Sequence, residues 1–294
     1  MNPPPIIDSL DALPRRYRAL FCDVWGCLHD GVRIFPAAAE ALIRYRKAGG
    51  HVVLITNAPR PHSVTARQLR AMRAPEGLYD AIVTSGDAAQ AGLAAGVVGS
   101  RVYHLGPERD EEFFRDLPAE IANPVPIERV PLKEAEGIVC TGLFDDETET
   151  PEDYRAIILE GVNRRLPMLC VNPDIVVDRG ERRIYCAGAI AQAYAEAGGV
   201  VHYFGKPHPP IYDLARRRLA LRVGEEIDDE DILCIGDGIA TDIAGAVAEG
   251  LDSLFVTGGI AAEETGGDPP DPERLAAFLA RHQLSVTAAI GALR

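Results

Sequence analysis

Four places in the 294-residue chain set a charged or hydroxyl side chain where a short apolar run gives way to a loop. They are Asp23 in FCDVWG, Thr56 and Asn57 in VLITNA, Lys206 in YFGKPH, and Asp237 in LCIGDG with Asp242 five residues on. In open α/β sheets ligands bind beyond the carboxyl ends of the strands, so these are positions where chemistry belongs. Singly, each has an ordinary explanation. An aspartate at a strand end is commonly a turn or helix-cap residue. Lys206 before a proline is compatible with an exposed loop, and the Thr56 hydroxyl could satisfy a local amide. Four of complementary type, in this order, are hard to ascribe to turns. Carboxylates beside a lysine suit a small anionic substrate, held with a metal ion that reverses the field inside one pocket. Asn172 and Asp174 flank Pro173, and that tripeptide stays open between an ordinary turn and a substrate contact.

The elements that must position these residues alternate from end to end, the pattern of an α/β protein with a largely parallel sheet. Strands are expected over 18–22 running into Asp23, 51–55 running into Thr56, 81–83, 200–204, 231–235 and 253–256. Helices are expected over 36–48, opened by Pro36 and stopped by Gly49-Gly50, and over 63–72, 209–221, 239–248 and 272–282. The middle carries strands at 101–105, 137–140 and 168–171 and helices at 151–165 and 187–197, enough for an inserted α/β domain. No Gly-x-Gly-x-x-Gly follows the first strand and no P-loop sequence is present, which argues against a dinucleotide or nucleotide enzyme.

Composition narrows the partners. Net charge is −14 and no run of Lys or Arg interrupts it, so nucleic acid, which is held through its phosphates, is a poor partner. No stretch reads as a signal peptide or a membrane span, and a cytoplasmic protein is expected. Six cysteines stand singly, as small hydrophobes rather than a zinc site or disulfide framework. The acidic stretch at 224–231 reads as a solvated loop. The seven histidines show no metal-ligand spacing, although His208 lies two residues after Lys206. A homo-oligomer stays open.

Together, Asp23, Thr56, Lys206 and the Gly236-Asp237-Gly238…Asp242 run resemble the four motifs of the haloacid dehalogenase (HAD) superfamily. The long insertion after the second motif, the VNPD ending at Asp174 and the FVTGG ending at Gly259 resemble its class IIA branch. That branch holds the NagD-type sugar phosphatases, phosphoglycolate phosphatases and nitrophenyl phosphatases. The resemblance implies a doubly wound, Rossmann-like core of 1–84 and 200–294, capped by an α/β domain of 85–199. It implies a Mg²⁺-dependent phosphohydrolase acting on a small phosphorylated metabolite, in which Asp23 is nucleophile and metal ligand and forms an aspartyl-phosphate. Asp237 would be the second carboxylate on the metal and the Trp25 backbone carbonyl would complete the protein ligands. Asp242 would hold a metal-bound water or the Lys206 ammonium. Thr56 and Lys206 would bind phosphoryl oxygens, Asn57 would orient a carboxylate or a loop amide, and Asn172 and Asp174 would meet substrate. The chemistry needs these types, because a carboxylate attacking a phosphate dianion meets a repulsion that a hard cation removes.

One position departs from the pattern. HAD phosphatases usually carry a second aspartate two residues after the nucleophile, which protonates the leaving oxygen and then activates water. Here that position is Trp25, whose indole N–H does not exchange protons with an alkoxide near neutral pH. Loss of such a group typically costs ~10²- to 10⁴-fold. Three explanations stay open: a substitute such as His29 or Asp30, a substrate whose leaving group needs no proton, or a protein that binds a phosphometabolite without turning it over.

Overall fold

The apolar runs become strands because nearly all their residues are buried, which a parallel sheet covered on both faces permits. The computed structural model describes residues 4–294 except 15, 116, 118–120, 122, 123 and 181. Among these, β1 (Ala19–Cys22), β2 (His51–Thr56), β3 (Ala81–Thr84), β11 (Ile232–Gly236), β12 (Asp252–Val256) and β13 (Ala288–Ile290) form a six-stranded sheet. Its order is β13-β12-β11-β1-β2-β3 and every pairing is parallel. The chain winds outward from β1 to β3, then returns to the other side of β1 and winds outward again to β13. This reversal opens a crevice between the carboxyl ends of β1 and β11, the switch point at which doubly wound sheets take ligands. The expected doubly wound architecture holds, and Asp23 and Asp237 follow the two strands that border the crevice.

Helices close the two faces. The helix Pro36–Lys47 starts on proline and buries Ala38, Ala39, Ala41 and Leu42, which join Leu20, Val52 and Leu54 in one hydrophobic cluster. The helix Pro209–Val223 buries Ile211, Tyr212, Ala215 and Leu219 in another cluster with Phe21, Val53 and Cys234. It ends where Gly224 takes φ 91°, a left-handed cap that glycine adopts without steric cost. No helix among the described residues is long and apolar enough to cross a membrane.

A second, five-stranded parallel sheet comes from the middle of the chain. It has the order β10-β7-β6-β4-β5, from β4 (Arg101–Leu105), β5 (Glu128–Arg129), β6 (Gly137–Cys140), β7 (Met168–Cys170) and β10 (Val201–Tyr203). The run at 200–204 therefore pairs with β7, and the chain passes from the second sheet to the first through Lys206. A short antiparallel hairpin, β8 (Val176–Arg179) with β9 (Arg182–Tyr185), leaves the second sheet. Several elements went unread, among them β5, the edge strand β13 and the short helix Ala262–Thr265. The helix Ser85–Ala94 is small-residue-rich and almost wholly buried, so it carries no polar stripe to set its period. The hairpin is rich in arginine, with no buried face to betray its alternation.

Candidate active site

Asp23 extends β1 by one residue. Its N–H donates to the Ile235 carbonyl of β11 at 2.8 Å, which fixes the carboxylate at the mouth of the crevice. Lys206, 2% exposed, donates from Nζ to Asp23 Oδ1 at 2.5 Å, to Asp242 Oδ1 at 2.6 Å and to the Ile55 carbonyl at 3.3 Å. Asp242 reaches it because the expected helix over 239–248 begins as a π-helical turn, Ile239–Ile243. Inside that turn the Gly238 N–H donates to Asp242 Oδ2 at 3.0 Å, bending the side chain back over the strand end. Such turns recur at functional sites for this reason. Asp237 Oδ2 accepts from the Ile260 N–H at 2.8 Å, just past the FVTGG loop. Gly26, at φ 85°, and Gly259 press on the same carboxylate, and a Cβ at either would overlap it. At Gly26 both the conformation and the space demand glycine.

Asn57 ties the two sheets together at this point. Its Oδ1 accepts the Lys206 N–H at 2.8 Å, while Nδ2 donates to the Lys206 carbonyl at 3.1 Å and to Asp174 Oδ1 at 2.8 Å. The Thr56 hydroxyl accepts from the Ala58 N–H at 3.3 Å, which keeps its own proton for another acceptor.

Three buried carboxylates, Asp23, Asp237 and Asp242, thus face one buried ammonium, a formal surplus of two negative charges. Burial works against the Lys206 charge, but Asp23, Asp242 and Asp174 outweigh it and hold the ammonium well above its ordinary range. Burial also pushes Asp23 well up despite Lys206, and burial with Asp242 pushes Asp237 up to about 7. Buried charge of one sign calls for a counter-ion. Among the described residues, ligand atoms of Asp23, Cys27 and Asp237 lie within 4.8 Å of one another. Burial, then Asp237, drives the Cys27 thiol up, so it stays protonated and the oxygens are the effective donors. These residues fit a hard divalent cation. Cys27 was not anticipated; its only signal was sharing the loop of Asp23, four residues on.

Asp23, Trp25, Thr56, Lys206, Asp237 and Asp242 line one cavity of about 1030 Å³, and Asp174 and Tyr203 of the second-sheet region and His208 line it too. Asn57 and Asn172 do not line it. Asn172 Oδ1 accepts the Asp174 N–H at 3.0 Å, so it builds the turn, and of the two only Asp174 lines the cavity.

The proposed substitutes for the missing acid are corrected by their surroundings. His29 is 2% exposed and off the cavity wall; its Nδ1 accepts the Gly31 N–H at 3.0 Å, and burial lowers its pKa to about 4. Asp30 reaches the cavity. Burial raises its pKa, but the N–H groups of Arg33 and Val32, at 2.8 and 2.9 Å on Oδ1, and the Arg33 side chain together outweigh it and hold the group below the usual range. His29 thus stands off the cavity, and Asp30 meets it as a hydrogen-bonded carboxylate rather than as an acid. The Trp25 indole is itself engaged, donating from Nε1 to the Asp178 carbonyl of β8 at 2.6 Å and meeting the His29 ring edge-on at 5.2 Å.

Comparison with known proteins agrees with this geometry. The family model described as haloacid dehalogenase-like hydrolase matches residues 20–119, and a second, HAD-hydrolase-like model matches 203–281. A crystal structure of a haloacid dehalogenase-like family hydrolase from Brucella suis 1330 is 42% identical, with TM-score 0.86, covering 98% of this chain and 100% of that one. The p-nitrophenyl phosphatase from Archaeoglobus fulgidus shares the fold at TM-score 0.69 and 22% identity, covering 94% of this chain and 96% of that one. The acid sugar phosphatase of Staphylococcus aureus (strain USA300) is 25% identical over 253 residues, 85% of this chain and 90% of that protein. With four motif residues gathered at one switch point and a second α/β sheet above them, the chain belongs to the haloacid dehalogenase-like hydrolases, in their class IIA phosphatase branch.

Proposed function

We propose that the chain is a magnesium-dependent phosphohydrolase that cleaves a small, sugar phosphate-like metabolite through an aspartyl-phosphate on Asp23. The observation that carries this is the buried Lys206 ammonium bridging Asp23 and Asp242 at the crevice that Asp237 also borders. Asp23 and Asp237 would hold the cation together with the Trp25 carbonyl. When bound, the cation offsets the repulsion between the Asp23 carboxylate and the phosphoryl oxygens. Its preference for oxygen donors matches two carboxylates beside a protonated thiol. The Asp23 oxygen attacks phosphorus opposite the ester oxygen. Thr56 donates its hydroxyl proton, and Lys206 its ammonium protons, to the oxygens over which charge spreads. Asp242 and Asn57 hold Lys206 in place from either end.

Residues 85–199 together with β10 (Val201–Tyr203) would act as the cap on a core made of 1–84 and the chain beyond β10, excluding bulk water and shaping specificity. Cavity walls such as Phe35, Val176 and Tyr203 suit a compact organic group, and the sugar phosphatase and nitrophenyl phosphatase relatives support that substrate class. The non-catalytic reading rests on Trp25, yet binding alone requires no nucleophile. The test is phosphate release from p-nitrophenyl phosphate with magnesium, wild type beside Asp23→Asn. Activity lost in the variant and on chelation is expected. A folded, magnesium-loaded wild type that releases none, and none from a panel of sugar phosphates, would sink the proposal.

A further inference from the structure

We infer that Asp174, on the loop after β7, is the proton carrier of this active site, supplying from the second sheet what Trp25 cannot supply from the first. The inference rests on the phosphohydrolase reading. In-line displacement puts the leaving oxygen on the side of phosphorus away from the attacking Asp23 oxygen. Asp23 stands at the end of β1, in the first sheet, so the leaving oxygen faces away from that strand end. Asp174 lines the same cavity from the loop that follows β7 of the second sheet.

Its carboxyl group is held and yet available. Oδ1 accepts from Asn57 Nδ2 at 2.8 Å, and among the described residues no other hydrogen bond engages the carboxyl group. The loop beneath is braced, with the Asp174 N–H on Asn172 Oδ1 at 3.0 Å and the Gly188 N–H on the Asp174 carbonyl at 3.1 Å. A Cβ at Gly188 would overlap the Pro173 and Asp174 carbonyls, so the helix start packs tightly on this loop. An ionised carboxylate next to the Thr56 and Lys206 cradle would repel a phosphate dianion, whereas a protonated one donates to it. Burial raises the Asp174 pKa, Lys206 and Asn57 pull it down, and Asp242 adds to the rise; the net direction is up. Asp237 also lies within its field, and Cys186 beside it is a neutral thiol. His208 also lines the cavity but stacks on Tyr203 at 4.9 Å, and burial lowers its pKa.

The two steps balance with Asp174 alone. An Asp23 oxygen bonds to phosphorus as the ester P–O bond breaks, and the departing oxygen takes the Asp174 proton. Asp174, now ionised, takes a proton from water whose oxygen attacks the phosphorus of the aspartyl-phosphate. The bond to Asp23 breaks, phosphate leaves, and Asp174 is protonated again.

The experiment uses magnesium-loaded full-length protein with glucose 6-phosphate and p-nitrophenyl phosphate, comparing wild type, Asp174→Asn and Asp174→Glu. Asparagine keeps the acceptor that Asn57 requires but carries no exchangeable acid. Turnover of the alkyl ester should fall ~10²- to 10³-fold. With the aryl ester, whose leaving group departs unaided, one nitrophenolate per enzyme should appear rapidly before a slow phase, and glutamate should restore part of the alkyl activity. Equal loss on both esters without that burst, no loss on either, or a wild type that cleaves only the aryl ester would each overturn the assignment. A wild type inert toward both would instead defeat the phosphohydrolase reading itself.

Discussion

At the scale of single residues, the site is organised by charge that has no water to screen it. Lys206 is the only cation among the buried charges of the crevice that the structure describes, and it faces two carboxylates at hydrogen-bond distance. Lys206→Met leaves both carboxylates without their partner in a low-dielectric site. Loss of one partner of a buried pair costs about 3–5 kcal/mol, so the urea midpoint should fall accordingly and phosphate release should vanish. His29 gives a test with a sign. Its folded pKa, about 4, lies below its ordinary value of 6.5. Between those pH values the unfolded chain binds the proton that the folded chain refuses, so stability is lost as pH falls through that window. Denaturation across pH 4–7 should show wild type losing up to about 1.4 kcal/mol per pH unit relative to His29→Asn. Parallel curves would remove His29 from the account.

At the scale of elements, Trp25 has exchanged a chemical task for a mechanical one. Its indole N–H holds the β8 backbone at Asp178, and the Gly180 N–H reaches back to the Asp30 carbonyl at 3.0 Å. The hairpin is thereby fastened over the loop that carries the nucleophile. Trp25→Phe keeps most of the ring but removes the donor, at a cost of about 1 kcal/mol. Amide exchange in Val176–Tyr185 should rise while β1 and β11 stay protected. If exchange in the hairpin is unchanged, the indole bond does not hold it. Trp25→Asp should release the hairpin in the same way and add little to alkyl-ester turnover, because the proton is already carried by Asp174 from the second sheet.

At the scale of the whole molecule, the surplus of buried negative charge between the sheets predicts that a divalent cation stabilises the fold. A ligand at 100 times its dissociation constant contributes about 2.7 kcal/mol, which for a chain of 294 residues is on the order of 4 °C in Tm. Magnesium should raise Tm in the wild type, chelation should reverse it, and Asp237→Asn should abolish it. A Tm indifferent to magnesium in both proteins would count against a cation at Asp23 and Asp237. The net charge of −14 has a consequence of its own, because duplex nucleic acid should show no binding at physiological salt.

How much of this was legible beforehand differs by scale for a physical reason. Apolar runs bounded by turn residues imply strands wherever they are buried, so β1, β2, β4, β6 and β11 were readable within a residue at each end, as were Asp23, Thr56, Lys206 and Asp237 at or just beyond strand ends. The chain alone therefore determined the fold class and the reacting types. Three-dimensional packing decided what each side chain faces, since proximity across 149 residues leaves no periodic trace. Only there does Asn57 meet Lys206 and Asp174, does Asn172 turn into a brace, and does His29 vanish beneath Trp25. The run at 200–204 shows the limit, because an apolar strand does not carry the name of the sheet it joins. Local composition sets what an element is, whereas burial and electrostatics, which sum over distant neighbours, set what it does.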